Sequence, residues 1–139
     1  MAITTGMVPA SATAGMLLGF GIRLGAATRV FSAIGSIALG AQAPDAHARA
    51  VLIVAGVLFH VLAMLLCGLV YASLVGESRE HPVAWAIAIG AAAVGVVFFL
   101  ASMFAGTIAL VLTPGNLIAI GVVIALTLPI GMRFALSRL

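Results

Sequence analysis

Charged residues, lysine and cysteine are scarce in this chain of 139 residues. Only 6% of the residues are charged, there is no lysine, and three acidic residues stand against six arginines. An average soluble domain is about 25% charged, so this chain has too few charges to cover a surface that faces water. The shortage excludes a soluble enzyme, a disordered tail and a coiled coil.

The single cysteine and the scattered arginines exclude two further classes. Cys67 has no second cysteine to pair with, so the chain is not a secreted domain stapled by disulfides. The isoelectric point is near 10.6, but six arginines spread through an apolar chain form no basic stripe of the kind that binds nucleic acid. We therefore expect no nucleic-acid partner.

Apolar residues are what the chain has in abundance. They make up 65% of it, and the mean hydropathy is +1.38. A helix needs about 20 apolar residues to cross a membrane, so four crossings would use most of the chain. The sequence predicts an all-α, integral membrane bundle of four transmembrane helices in a single transmembrane domain, 1–139. The predicted spans are about 12–40, 51–75, 82–112 and 117–134.

The first predicted span is the one that charges interrupt. Arg23 and Arg29 both fall inside 12–40, and an arginine in mid-membrane costs about 2.5–3.5 kcal/mol on the insertion scale. One interpretation is a single long, tilted helix whose two arginines turn toward the bundle or snorkel to the interface. The other is a first helix that ends near Thr28, followed by a half-helix from Val30 to Leu39 that lies at the interface or dips into the membrane. We expect one span with a break or bend near Arg29.

Arginine placement predicts the orientation in the membrane. With four spans both termini share a side, and that side holds Arg79, Arg133 and Arg138 against Arg49 opposite, when the undecided Arg23 and Arg29 are left out. Because basic residues favour the cytoplasmic side, we expect both termini in the cytoplasm.

Glycines recur four residues apart in the first span. Gly15 and Gly19 form one such pair, and Gly21 and Gly25 form another. Small residues at this spacing let helix backbones approach closely in lipid, which predicts helix packing through these four glycines. The partner is either another part of the chain or a second subunit.

His60 is the histidine that lies well inside a span. Met64 and Cys67 follow it on the same face of a helix, and imidazole, thioether and thiol are ligands that suit a soft metal such as Cu(I). The competing interpretation is a packing face on which His60 hydrogen-bonds a neighbouring backbone or hydroxyl group. No second histidine or cysteine in another span completes a site, so we expect no cofactor.

A polar path is the other hypothesis for the ionisable residues. Arg23, Arg29 and His60 would line it, since ionisable residues within a membrane are candidates for ion pathways. The acids all lie in predicted loops, and neither a nucleophile–base arrangement nor a carboxylate pair is present. We therefore expect no enzyme activity.

Several segments of the chain form a recognisable pattern: Ala14–Gly19, Arg29 to Gly40, the span centred on His60, Thr113–Leu117 and Gly131–Arg133. In these segments the chain resembles a family of small four-helix bacterial membrane proteins that has no established activity. The resemblance implies four helices and an unknown role, and it transfers no functional residue. We expect the chain in the bacterial inner membrane.

These observations favour a structural or accessory multi-pass protein that packs through Gly and Ala faces. Its partners would be the lipid bilayer and either other membrane subunits or a second copy, with no soluble substrate. The first alternative is a small transporter or channel with the polar path above, and the second is a soft-metal-binding protein.

Overall fold

The described residues form five helices and no strand. In the computed structural model these residues are 2–40, 45–78, 81–103 and 113–137. The helices are α1 (Ala2–Arg23), α2 (Arg29–Leu39), α3 (Ala46–Ser78), α4 (Pro82–Met103) and α5 (Pro114–Leu136). Within this part of the chain, α1, α3, α4 and α5 are each long and apolar enough to cross a membrane. The predicted all-α bundle is confirmed, and the four apolar helices indicate a multi-pass membrane protein.

Helix α1 begins ten residues earlier than the predicted span. Residues 2–11 contain threonines, a serine and a proline, which lower their hydropathy. The hydroxyls lose little by entering the helix, because Ser11 donates to the Met7 carbonyl at 3.0 Å and Thr13 to the Pro9 carbonyl at 2.6 Å. Thr5 is fully buried against the rest of the bundle. Hydropathy underestimates such a segment where a hydroxyl, like that of Ser11, is satisfied within the helix.

The first predicted span is broken between Arg23 and Arg29. Gly25 has a φ of +90°, a conformation that suits glycine, and the Ala26 amide donates back to the Gly21 carbonyl at 3.0 Å. The Arg29 guanidinium then donates to the Leu24 carbonyl at 2.9 Å, just past the end of α1. A positive charge at this position interacts favourably with the negative end of the helix dipole. The single long helix is not formed, and the two-helix alternative matches the structure.

Helix α5 begins at a capped turn. Thr113 is the N-cap residue and accepts a hydrogen bond from the Asn116 amide at 3.4 Å, while Pro114 occupies the first turn. The helix before this turn, α4, is described as far as Met103. The remainder of its predicted span, up to 112, lies outside the described residues.

The four long helices run antiparallel to their neighbours. Helix α1 lies between α3 and α5, with Gly6 against Gly68 and Thr5 against Gly131. Helix α4 packs against α5, where Gly90 faces Gly121, and more loosely against α3. The start of α1 and the end of α5 therefore lie at the same end of the bundle.

Helix α2 completes the bundle by packing along the N-terminal half of α3. Gly35 of α2 faces Leu52, and Gly56 of α3 faces Phe31. Helix α1 contacts the next part of α3, from His60 to Gly68. Helices α2 and α1 therefore pack against successive parts of α3. This arrangement brings all five helices around the middle of α3, where His60 lies.

Candidate functional site around His60

His60 is a buried ionisable side chain in the middle of the described bundle. It lies in the middle of α3, and only 9% of its surface is exposed. Its Nε2 atom is 3.0 Å from the Thr13 hydroxyl oxygen and 3.3 Å from the Ala10 carbonyl oxygen, both on α1. At Nε2, therefore, His60 makes the contacts with a hydroxyl and a backbone group that the packing-face interpretation predicts.

The partners of Nε2 determine which ring nitrogen carries the proton. A carbonyl oxygen can only accept, so the contact with Ala10 requires a proton on Nε2. The Thr13 hydroxyl donates its own proton to the Pro9 carbonyl, so its oxygen accepts from His60 as well. In the neutral ring, Nδ1 is then an acceptor with a free lone pair.

Nδ1 has no hydrogen-bond partner among the described residues. The hydrogen bonds of His60 all involve Nε2, and no fully enclosed side-chain nitrogen or oxygen in the described part lacks a partner. Nδ1 therefore keeps some accessible surface, and His60 lines a cavity. Phe31 meets the ring edge to face at 5.9 Å between centroids and an interplanar angle of 74°, which fixes the plane of the imidazole.

The cavity beside His60 has a volume of about 130 Å³. Residues from all five helices line it, and apart from His60 and Thr13 they are apolar. Phe59 lines the cavity and is 46% exposed, so the space reaches the outer surface of the bundle. The site is an apolar chamber with one hydrogen-bond acceptor in its wall.

The predicted polar path is not assembled around this chamber. Neither Arg23 nor Arg29 lines it, and both are exposed. Arg23 lies ten residues beyond Thr13, which is about 15 Å along an α-helix. The Arg29 guanidinium donates to the Leu24 carbonyl, a contact that holds the turn between α1 and α2.

The predicted soft-metal face gains no histidine, cysteine or carboxylate cluster among the described residues. Met64 is buried beside His60 in the same cavity wall, while Cys67 is half-buried and does not line the cavity. No three His, Cys, Asp or Glu side chains of the described residues come together as a metal site. Nε2 of His60 is already committed to α1.

The four glycines predicted to pack helices fall into two groups. Gly21 and Gly25 shape the turn after α1, because a side chain on Gly21 would strike the Ala27 carbonyl and Gly25 lies beyond the helix. Gly15 and Gly19 are exposed, and a Cβ on either would meet no described atom within 4 Å.

The glycines that do hold the described helices together were missed by the sequence analysis. Each of them contacts the backbone or a side chain of another helix, and they do not follow the four-residue spacing along one helix. They are Gly6, Gly35, Gly56, Gly68, Gly90, Gly121 and Gly131. Thr13 was missed as the partner of His60. The available signal was the cost of glycine in a helix, about 1 kcal/mol relative to alanine, which needs a compensating contact.

Comparison with known proteins gives no relative. No family of known proteins, no curated protein and no solved structure matches this chain. Assignment of a function therefore depends on the geometry of the bundle and of its surface.

Proposed function

We propose that the chain is a structural protein of the bacterial inner membrane whose copies pair through the outer face of α1. In this role it catalyses no reaction. The proposal is supported by one observation above all: Gly15 and Gly19 are open on the outside of a bundle that elsewhere uses glycine for close helix contacts.

The α1 outer face consists of Ser11, Gly15 and Gly19. These residues are four apart, so they share one side of the helix, and all three are exposed. The Ser11 hydroxyl already donates to the Met7 carbonyl, so covering the face leaves no unpaired donor. Small residues in such a row allow a second backbone to approach closely, which drives helix association in lipid.

A second copy is the partner that fits this face. Copies inserted with the same topology present their α1 helices parallel to each other, as a two-fold axis along the membrane normal requires. Two identical faces with small residues four apart can pack against each other in that arrangement, so no different partner surface is needed. The face carries no charge, so it needs no oppositely charged partner.

Leucine at Gly19 is expected to prevent the pairing. Its side chain would project into the space of the second backbone, while a Cβ there meets no described atom of its own chain within 4 Å. We expect association of Gly19→Leu to be weaker by at least about tenfold, which is about 1.4 kcal/mol. The measurement is energy transfer between donor- and acceptor-labelled copies in lipid vesicles, over a range of protein-to-lipid ratios.

Gly95→Leu is the matched control. Gly95 lies on α4, is exposed, and a Cβ added to it would likewise meet no described atom within 4 Å. Association of this variant should equal that of the unmodified chain. A monomeric unmodified chain would contradict the proposal, as would equal association of the Gly19→Leu and Gly95→Leu variants.

A further inference from the structure

We propose that the chamber beside His60 binds a phenolic ring, whose hydroxyl donates a hydrogen bond to Nδ1. This is a binding role separate from the pairing through α1, because the chamber lies inside the bundle and the α1 outer face does not line it. The inference depends on the size of the chamber, its apolar wall and the unpartnered Nδ1 of His60, which lines it.

The size suits a single six-membered ring. The chamber volume is about 130 Å³. A dry cavity of about 150 Å³ lined by Leu, Ile and Phe is known to bind benzene. Alanines at 33, 63 and 93 keep the wall open, while Ile120 and Ile124 provide apolar contact. A larger ring system would need the helices to move apart.

Water is a poor occupant of this space. A buried water usually needs two to four polar partners. The polar residues of the chamber wall are His60 and Thr13, and the Thr13 hydroxyl donates to Pro9 and accepts from Nε2. Its oxygen keeps a second lone pair, but the Thr13 side chain is fully buried, so only Nδ1 is left for an occupant. One remaining acceptor does not satisfy a water molecule.

The chemistry of the acceptor selects the ligand class. Nδ1 accepts and does not donate in the tautomer fixed by Ala10, so the ligand must bring a donor. Phe31 and Thr13 hold the imidazole from two sides, which fixes the position of the lone pair. A phenol supplies an apolar ring and one hydroxyl donor, which matches both features.

The test compares 4-fluorophenol with fluorobenzene, which has the same ring without the donor. Binding to the full chain in micelles is followed by fluorine NMR, and the saturable part is taken as binding to the protein. One net hydrogen bond should make 4-fluorophenol bind about three- to tenfold more tightly. Equal affinities would overturn the proposal, since they would indicate an apolar cavity that accepts any small ring or acyl chain.

Three variants assign the binding to the chamber. His60→Phe keeps a ring but removes Nδ1, so it should abolish the preference for the phenol. Ala93→Leu fills the chamber from α4 and keeps His60, and it should remove the saturable binding of both ligands. Ala92→Leu places the same side chain on the exposed side of α4 and should bind like the unmodified chain.

Two results would overturn the assignment even if the phenol is preferred. Binding that survives Ala93→Leu lies elsewhere on the protein, and a preference that survives His60→Phe does not depend on Nδ1. If His60→Phe fails to fold, the comparison of Ala93→Leu with Ala92→Leu still decides the location.

The source of the ring is distinguished by competition in vesicles. A phenol with a nine-carbon alkyl chain represents a phenolic lipid head, and phenol itself represents a small dissolved molecule. Stronger displacement of 4-fluorophenol by the alkylated compound, at equal concentration in the bilayer, assigns the chamber to a lipid head reaching it beside Phe59. Stronger displacement by phenol assigns it to the free molecule.

Discussion

Valine at Gly56 is expected to destabilise the bundle by at least about 3 kcal/mol. Gly56 and Gly35 face each other's helices so closely that a side chain on Gly56 would overlap the Phe31 carbonyl of α2. A backbone carbonyl cannot rotate out of the way as the end of a side chain can, so α2 would have to leave α3. The measurement is the free energy of unfolding in mixed micelles, titrated with a denaturing detergent.

Gly76→Val is the control for this prediction, because it makes the same change in the same helix. A Cβ at Gly76 meets no described atom within 4 Å. The free energy of unfolding of this variant should therefore change by less than about 0.5 kcal/mol. Equal stability of the two variants would mean that α2 does not pack against α3 as described.

Valine at Gly131 is the second change with a large expected effect, about 2–3 kcal/mol. A Cβ there would lie 2.6 Å from the Thr5 carbonyl oxygen and 3.0 Å from the Thr5 Cα, both backbone atoms of α1. The first turns of α1 would have to move away from α5. Because α1 also carries Thr13 and Ala10, the hydrogen bonds to His60 should weaken at the same time.

Two readouts check the Gly131→Val prediction together. The free energy of unfolding should fall, and the nitrogen NMR signals of the His60 imidazole should shift from those of the unmodified chain. Gly115→Val, near the start of the same helix, has no described atom within 4 Å of the new Cβ and should change neither. An unchanged imidazole signal in a destabilised Gly131→Val variant would show that α1 does not position His60.

Hydropathy and charge predicted the helices of this protein, because crossing a membrane requires long apolar segments. The two arginines also indicated where the first segment breaks. Helix α1 begins ten residues before the predicted span, in a segment whose hydropathy is lowered by polar residues such as Ser11, although the Ser11 hydroxyl donates to a carbonyl of the preceding turn.

The site was only partly predictable. His60 stood out as a histidine within a span, but its partner Thr13 is 47 residues away in sequence and is brought near by the packing of α1 on α3. The glycines at helix crossings were hidden for the same reason. Gly56 faces Phe31 and Gly131 faces Thr5, and no spacing along one helix reveals a contact between two helices.

Cross-linking between copies through the α1 outer face tests the central claim most directly. With Cys67 replaced by alanine, a single cysteine is placed either at Ser11 or at Ser73 on α3. These serines are matched, because both are exposed and each hydroxyl donates to a carbonyl of the preceding turn. A disulfide requires Cα atoms about 4.4–6.8 Å apart, so mild oxidation in vesicles reports close approach.

The account predicts a covalent dimer from the Ser11→Cys variant at protein-to-lipid ratios where Ser73→Cys remains monomeric. That dimer should persist as lipid is added, since it forms from a stable pair and not from collisions. Equal cross-linking at the two positions, or none at Ser11, would contradict pairing of two copies through α1.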